Sequence, residues 1–174
     1  MGLALGSKTV PVRLLMFGIA AAMLPDADVI AFRFGIPYAN QLGHRGMTHS
    51  LAFAICLAMT AWIFSRQLAA SRKHAFLFIF FSAASHPLLD MLTNGGLGVA
   101  LFWPVSDERI FFAHRVIEVS PLSIRRFFSS TGVRVMLSEL QWIWIPSALA
   151  AISIFLWRRI FQTEERKTSQ RHIP

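Results

Sequence analysis

Four apolar runs set the terms for this chain: Val10–Pro25 with "LLMFGIAAAML" at its centre, Ser50–Phe64, Ala75–Leu92 and Leu140–Trp157. A helix needs roughly 17–25 mostly apolar residues to cross a bilayer. Inside hydrocarbon every backbone polar group must be satisfied within the protein, which favours helices. The runs therefore predict an all-α fold, an integral membrane helical bundle of about four transmembrane helices. Composition agrees. Of 174 residues, 55% are hydrophobic and only 15% charged, where a soluble domain carries about 25% charge.

The net charge of +8 and the pI of about 11.3 raise the possibility of a nucleic-acid binder. The basic residues argue against it, because they sit at the ends of the apolar segments and form no basic face interleaved with aromatics. No nucleic acid is expected as a partner; the bilayer is. Cys56, the single cysteine, lies inside an apolar run, so neither a disulfide framework nor a thiolate metal site is available.

Charge also orients the segments. Lys8 and Arg13 precede the first, Arg66, Arg72 and Lys73 link the second to the third, and Arg158, Arg159, Arg166, Lys167 and Arg171 follow the fourth. Four crossings put all three clusters on one side, which the positive-inside rule makes cytoplasmic. The stretch Thr93–Ser138, broken by Gly95, Gly96, Pro104 and Pro121, then forms an outer folded loop with short or interfacial helices. The chain divides into a membrane-embedded domain, residues 1–160, and a basic cytoplasmic tail, residues 161–174. The first segment also has the outline of a signal peptide.

This topology gathers the acids and histidines on one membrane face. Asp26 and Asp28 follow the first segment, His44 and His49 precede the second, and His86 and Asp90 close the third. Ionisable residues at the membrane are costly and mark functional sites. His86 and Asp90 are four apart and share a helix face, a half-site for a divalent ion, with Pro87 between them expected to kink the helix or start a new one. In "GHRGMTHS", Thr48 is expected to cap the second helix, with His49 as its first residue and Gly43 and Gly46 permitting close approach. Nitrogen and oxygen ligands without sulfur suit zinc, and less well manganese. Asp28, His44, His49, His86 and Asp90 are the candidate ligands, Asp26 the catalytic carboxylate, and Arg45 the contact for an anionic small-molecule or lipid substrate.

Taken together, "LPDAD", "GHRGMTHS", "SHPLLDMLTNGG" and "LFWPVSDER" resemble the YdjM-like family of bacterial, LexA-regulated, inner-membrane proteins thought to be metal-dependent hydrolases. The match spans Leu24 to Arg109, and its start at the Asp26 motif counts against cleavage before it. That family is distantly similar to zinc-dependent phospholipase C and P1-type nucleases. The resemblance implies a zinc held by Asp28 (or Asp26), His49, His86 and Asp90. It also suggests a second site from His114, Glu118 and Glu139, unless the glutamates pair with Arg115 or Arg134. The implied function is hydrolysis of a phosphoester by a metal-activated water at the outer face of the inner membrane. The alternative is a non-enzymatic membrane protein that uses the cluster for metal or proton transport.

Overall fold

Three helices, α1 (Val12–Met23), α2 (Leu51–Ile63) and α3 (Arg72–Asp90), form the packed body of the protein. A computed structural model describes the chain over residues 10–121 and 123–171, the side chains of residues 124 and 161–171 excepted. Lys8 and the side chains of the basic tail, expected on the cytoplasmic side, lie outside the described residues. Among the described residues the fold is all-helical, with two isolated bridges, Thr93 with Ile117 and Val99 with Ile110, as its sole β-pairing.

Small side chains decide how closely the helices pack. α2 buries Ala54, Ala58 and Ala61, and α3 buries Ala75, Ile79, Ala83 and Ala84. In an apolar solvent, close backbone approach through such residues replaces the hydrophobic drive of a soluble core. α1 adds Leu14, Ala21 and Gly18, where a β-carbon would lie 2.6 Å from Phe78 of α3. Ile55, Met59, Ile63 and Phe81 point outward. Ser50 caps α2 by accepting from the Phe53 amide at 3.1 Å, and Ser71 caps α3 through the His74 amide at 3.3 Å. The Thr48 cap expected from the sequence is thus displaced by two residues, because the Thr48 hydroxyl is engaged elsewhere. His49 lies in the 3₁₀ turn Met47–His49 and not in the helix.

All four apolar runs are helical, with boundaries that differ from the expectation. The first continues past Pro25 in 3₁₀ turns, Leu24–Phe34, ended by Gly35 in the left-handed region. α3 runs through Pro87 to Asp90 as one helix. The last run starts ten residues earlier than Leu140: after the short α4 (Ile124–Phe127), α5 (Ser130–Glu139) passes through a π turn, Leu140–Trp144, into α6 (Ile145–Arg171). Two stretches have the length and composition to cross a membrane, Val12–Phe34 and Ser130–Ile160. α2 is short at 13 residues, about 20 Å at 1.5 Å per residue. α3, with 19 residues, reaches about 28 Å but carries charge at both ends.

The two ends of the body differ in chemistry. Arg13 donates to the Gln67 carbonyl at 3.3 Å, joining the start of α1 to the link that also carries Arg66, Arg72 and Lys73. The acids and histidines lie at the opposite end. There the segment 91–121 folds back over the helix ends: the Leu51 amide donates to Leu101 O, the Phe112 amide to Met91 O and the Ile117 amide to Leu92 O. Met91, Val99 and Leu101 form its buried core. Ser138 accepts from the Glu118 amide at 2.9 Å, docking the start of the last helix onto this cover.

The contact between α1 and α3 makes a direct prediction. Gly18→Leu should push the helices apart and destabilise the protein in detergent by roughly 1–3 kcal/mol, the usual range for overpacking. Ile19→Leu, on the neighbouring outward face, should stay within about 0.5 kcal/mol of the parent. Equal thermal unfolding of the two variants would show that this contact does not hold the body together.

Candidate metal centre

Three elements bring the predicted residues together. The 3₁₀ turns after α1 present Asp26 and Asp28 about 120° per residue step apart in different directions. The turn Met47–His49 presents His49, and the last turn of α3 presents His86 and Asp90. The loop between them is forced into a tight coil: a β-carbon on Gly43 would lie 2.3 Å from Pro37 O, and one on Gly46 2.1 Å from Gln41 O. Both neighbours are backbone and cannot move aside, so the two glycines serve the close approach their presence suggested. Arg45, between them, adopts φ 63°, a left-handed conformation costing a non-glycine residue roughly 1–2 kcal/mol.

His49 is the centre of the arrangement, fully buried and bracketed by carboxylates. Its Nε2 lies 3.2 Å from Asp90 Oδ2 and 3.6 Å from Asp26 Oδ1. His86 Nε2 lies 3.3 Å from the same Asp26 oxygen and 3.7 Å from the same Asp90 oxygen. These four atoms form a compact cage, all within 4.8 Å of one another. Yet His49 Nε2, His86 Nε2 and Asp90 Oδ2 are buried without a hydrogen-bond partner. Buried polar atoms are rarely left so. Four ligands on a tetrahedral ion at about 2.0–2.1 Å would be separated by roughly 3.3 Å, close to the spacings observed. The donor set and its spacing therefore fit a divalent ion such as zinc.

The other histidine nitrogen faces a second, hydrogen-bonded group. Asp28 Oδ1 is 2.6 Å from His44 Nδ1, while Oδ2 accepts from the Thr48 hydroxyl at 2.6 Å and from the Arg45 amide at 3.2 Å. Because the Thr48 hydroxyl donates its proton to Asp28, its oxygen is left to accept from His49 Nδ1, 3.1 Å away. His49 Nδ1 is itself 3.2 Å from Asp28 Oδ2. A proton fixed on Nδ1 directs the lone pair of Nε2 into the cage, the usual role of an outer hydrogen-bond partner of a ligating histidine. Asp28, His44 and His49 also have metal-ligand spacing, but the hydrogen bonds already occupy them.

Burial by itself would push the His49 imidazolium down in pKa; the carboxylates of Asp26, Asp28 and Asp90 outweigh it and hold the group up at about 10. The same carboxylates thus favour a proton on the ring. A metal competes with that proton, so affinity for it must fall as pH falls.

Arg45 was expected to face a substrate. It is 3% exposed and donates from Nη2 to Asp90 Oδ1 at 2.9 Å, and from Nη1 to Gly95 O at 3.0 Å. It thereby holds one Asp90 oxygen and leaves the other to the cage, while still lining the adjacent cavity. That cavity has a volume of about 600 Å³ and is also lined by Asp26, His44, His86, Asp90, Glu118 and Glu139. Glu118 and Glu139 thus share a space with the cage, whereas His114 is exposed and does not line it. Neither glutamate forms an ion pair among the described residues; Arg115 lies over the Phe111 ring instead.

Two residues of the site escaped the sequence reading. Arg109 donates to the carbonyls of His44 (3.0 Å), Gly98 (3.3 Å), Tyr38 (3.2 Å) and Asn40 (2.9 Å), tying the glycine-rich loop to the cover. Its place in "SDER" was visible, but no one-dimensional pattern assigns an arginine to carbonyls 11 to 71 residues away. Tyr38 lines the cavity and stands edge-on to His44, 5.1 Å between ring centroids; no sequence signal singled it out.

With this geometry in view, comparison with known proteins is informative. The model of the YdjM inner membrane protein family matches residues 1–164. The inner membrane protein YbcI of Escherichia coli (strain K12) is 47% identical over 159 residues, covering 91% of each chain. No solved structure matches. A match across nearly the whole chain, with a close relative aligned over the same extent, means that this protein belongs to the YdjM inner membrane protein family.

Proposed function

We propose that the protein is a multi-pass inner-membrane hydrolase that cleaves a phosphoester at the outer face of the membrane with a bound divalent ion, zinc by preference. The observation that carries this reading is the set of buried, unpartnered atoms His49 Nε2, His86 Nε2 and Asp90 Oδ2 beside Asp26, of which Asp26, His86 and Asp90 line an open cavity. Asp26, His49, His86 and Asp90 hold the ion. Asp28, paired with His44, orients His49 through the Thr48 hydroxyl; Asp28, His44 and His49 also keep the metal-ligand spacing expected of them. The ion, when bound, supplies a more acidic water and charge stabilisation for the phosphoryl oxygens. The Asp26 side chain, 57% exposed, stands at the open edge, where its second oxygen can take a proton from the attacking water while the ester oxygen leaves.

The membrane arrangement supports the same reading. The basic end of the body, marked by Arg13, Arg66, Arg72 and Lys73, faces the cytoplasm by the positive-inside rule, leaving the cluster outside. α1, α2, α3 and α6 cross the bilayer, and lipid covers the apolar surface of α6 at Leu149, Ile152, Phe155 and Leu156. An ion or proton pathway would call for ionisable groups near the midplane; here they gather at one end.

Metal content provides the first test. His49→Ala, His86→Ala and Asp90→Ala should each abolish stoichiometric zinc in the purified protein, measured by elemental analysis, while His74→Ala, at the basic end, should retain it. Thr48→Val should weaken zinc binding roughly 10–100-fold, the usual effect of losing an outer-shell partner, and Thr48→Ser should restore it. Zinc retained in all of the ligand variants would rule out the cage. Topology is independent of that result: reporter fusions after Lys73 and after Gly96 should mark the cytoplasmic and outer sides respectively, and the same side for both would remove the outer-face assignment.

A further inference from the structure

The cavity beside the cage has two kinds of wall. Asp26, His86 and Asp90 make one part of it polar, while Val29, Leu89 and Ile143 are apolar and line the same space. A hydrated anion gains nothing from the second kind of wall. A ligand with an apolar part gains from both.

The apolar wall is built by the membrane stretches themselves. Val29 belongs to Val12–Phe34 and Ile143 to Ser130–Ile160, the two stretches long and apolar enough to cross a bilayer. Leu89 sits on α3, beside Asp90. Ile143 reaches the cavity from the π turn Leu140–Trp144, a distortion that often marks functional sites, four residues after Glu139, which lines it as well. Past that turn the last helix parts from the body. No residue between Leu140 and Ile160 is buried, and among the described residues the helix does not pack along α1, α2 or α3. Its start alone is docked onto the cover, through Ser138 and the Glu118 amide. The cavity therefore lies where the last helix leaves the body, with apolar side chains on both sides of the parting. Within a bilayer, lipid chains fill such a gap.

We propose that the cavity takes its substrate sideways from the bilayer. The substrate is a phospholipid of the leaflet on the cage side, with its phosphoester at the cage and an acyl chain passing between Val29, Leu89 and Ile143 into the gap beside the last helix. This rests on the reading of the protein as a phosphoesterase and narrows its substrate to a lipid.

Lipid retention tests the route without turnover. The full-length protein, stripped of zinc, is reconstituted with dioleoylphosphatidylglycerol and extracted into detergent, and bound lipid is counted by native mass spectrometry. Wild type should keep one lipid. Ile143→Ala should hold it roughly tenfold more weakly, as expected when the methylenes removed are about half-buried, and Val29→Ala, on the opposite wall, should weaken it severalfold. Ile152→Ala, on the lipid-facing surface of the same helix at 55% exposure, should retain it as wild type does. Thermal unfolding and zinc content after reloading should be the same in all three variants. Dihexanoylphosphatidylglycerol should displace the bound lipid, and dimethyl phosphate, which lacks the chains, should not. No retained lipid in wild type, wild-type retention in both Ile143→Ala and Val29→Ala, or displacement by dimethyl phosphate at the same concentration as the short-chain lipid overturns the route. Hydrolysis separates this from the reading beneath it. Zinc-loaded wild type that cleaves bis(p-nitrophenyl) phosphate but retains no lipid loses the lipid route alone. Lipid retained through Ile143 and Val29, with neither the lipid nor bis(p-nitrophenyl) phosphate cleaved, overturns the hydrolase reading alone.

Discussion

The Asp28 carboxylate is the joint on which the site end of this protein is assembled. It is buried, and it faces the side chain of His44, the backbone amide of Arg45 and the hydroxyl of Thr48. A buried carboxylate is costly unless its lone pairs are met, so these contacts are obligatory and they reach the loop, the 3₁₀ turn and α1's extension at once. Much else follows from them. The Arg45 backbone is drawn into a left-handed conformation, and its carbonyl accepts from the Ala100 amide at 3.0 Å, fastening the cover. The Thr48 hydroxyl, used here, cannot cap α2, and Ser50 takes that role.

The same joint sets the electrostatics of the cage. His49 is held between Asp28 on its Nδ1 side and Asp26 and Asp90 on its Nε2 side. Three carboxylates around one buried ring create a field that demands a cation. A proton on His49 answers it in part, and His49 Nε2, His86 Nε2 and Asp90 Oδ2 remain without a hydrogen-bond partner. Arg45 supplies a further positive charge from behind Asp90 without entering the cage. The arrangement divides the Asp90 carboxylate between two tasks: one oxygen faces Arg45 and the other faces the histidines.

Placement at the end of a short helical body is equally physical. α2 and α3 pack through alanines, so the helices are close and the polar residues at their ends meet without long loops. The cover, residues 91–121, has a small apolar core of its own at Met91, Val99 and Leu101. Arg109 then compensates for the poverty of regular structure in the adjoining loop by serving four carbonyls that no helix or sheet would satisfy.

The linear sequence determined the helical class, the four apolar runs and the residues that meet at one end. Hydrophobic run length and the positions of Asp26, Asp28, His44, His49, His86 and Asp90 at run boundaries are one-dimensional facts, and helices packed side by side through small residues bring such boundaries together. Helix ends were less legible. The start of the last helix at Ser130 lies in a polar, mixed stretch, where propensity is weak and packing of Ser138 against the cover decides. Division of labour among the acids was not legible at all. Asp26 and Asp28 are two residues apart and chemically identical in sequence; only the fold gives one an open edge beside the unpartnered nitrogens and buries the other among donors. Tyr38 and Arg109 likewise carry no pattern of their own, because their partners are carbonyls and a glycine far along the chain. Run length and residue type are properties of the chain, whereas which lone pair meets which donor is a matter of distances that exist only after folding.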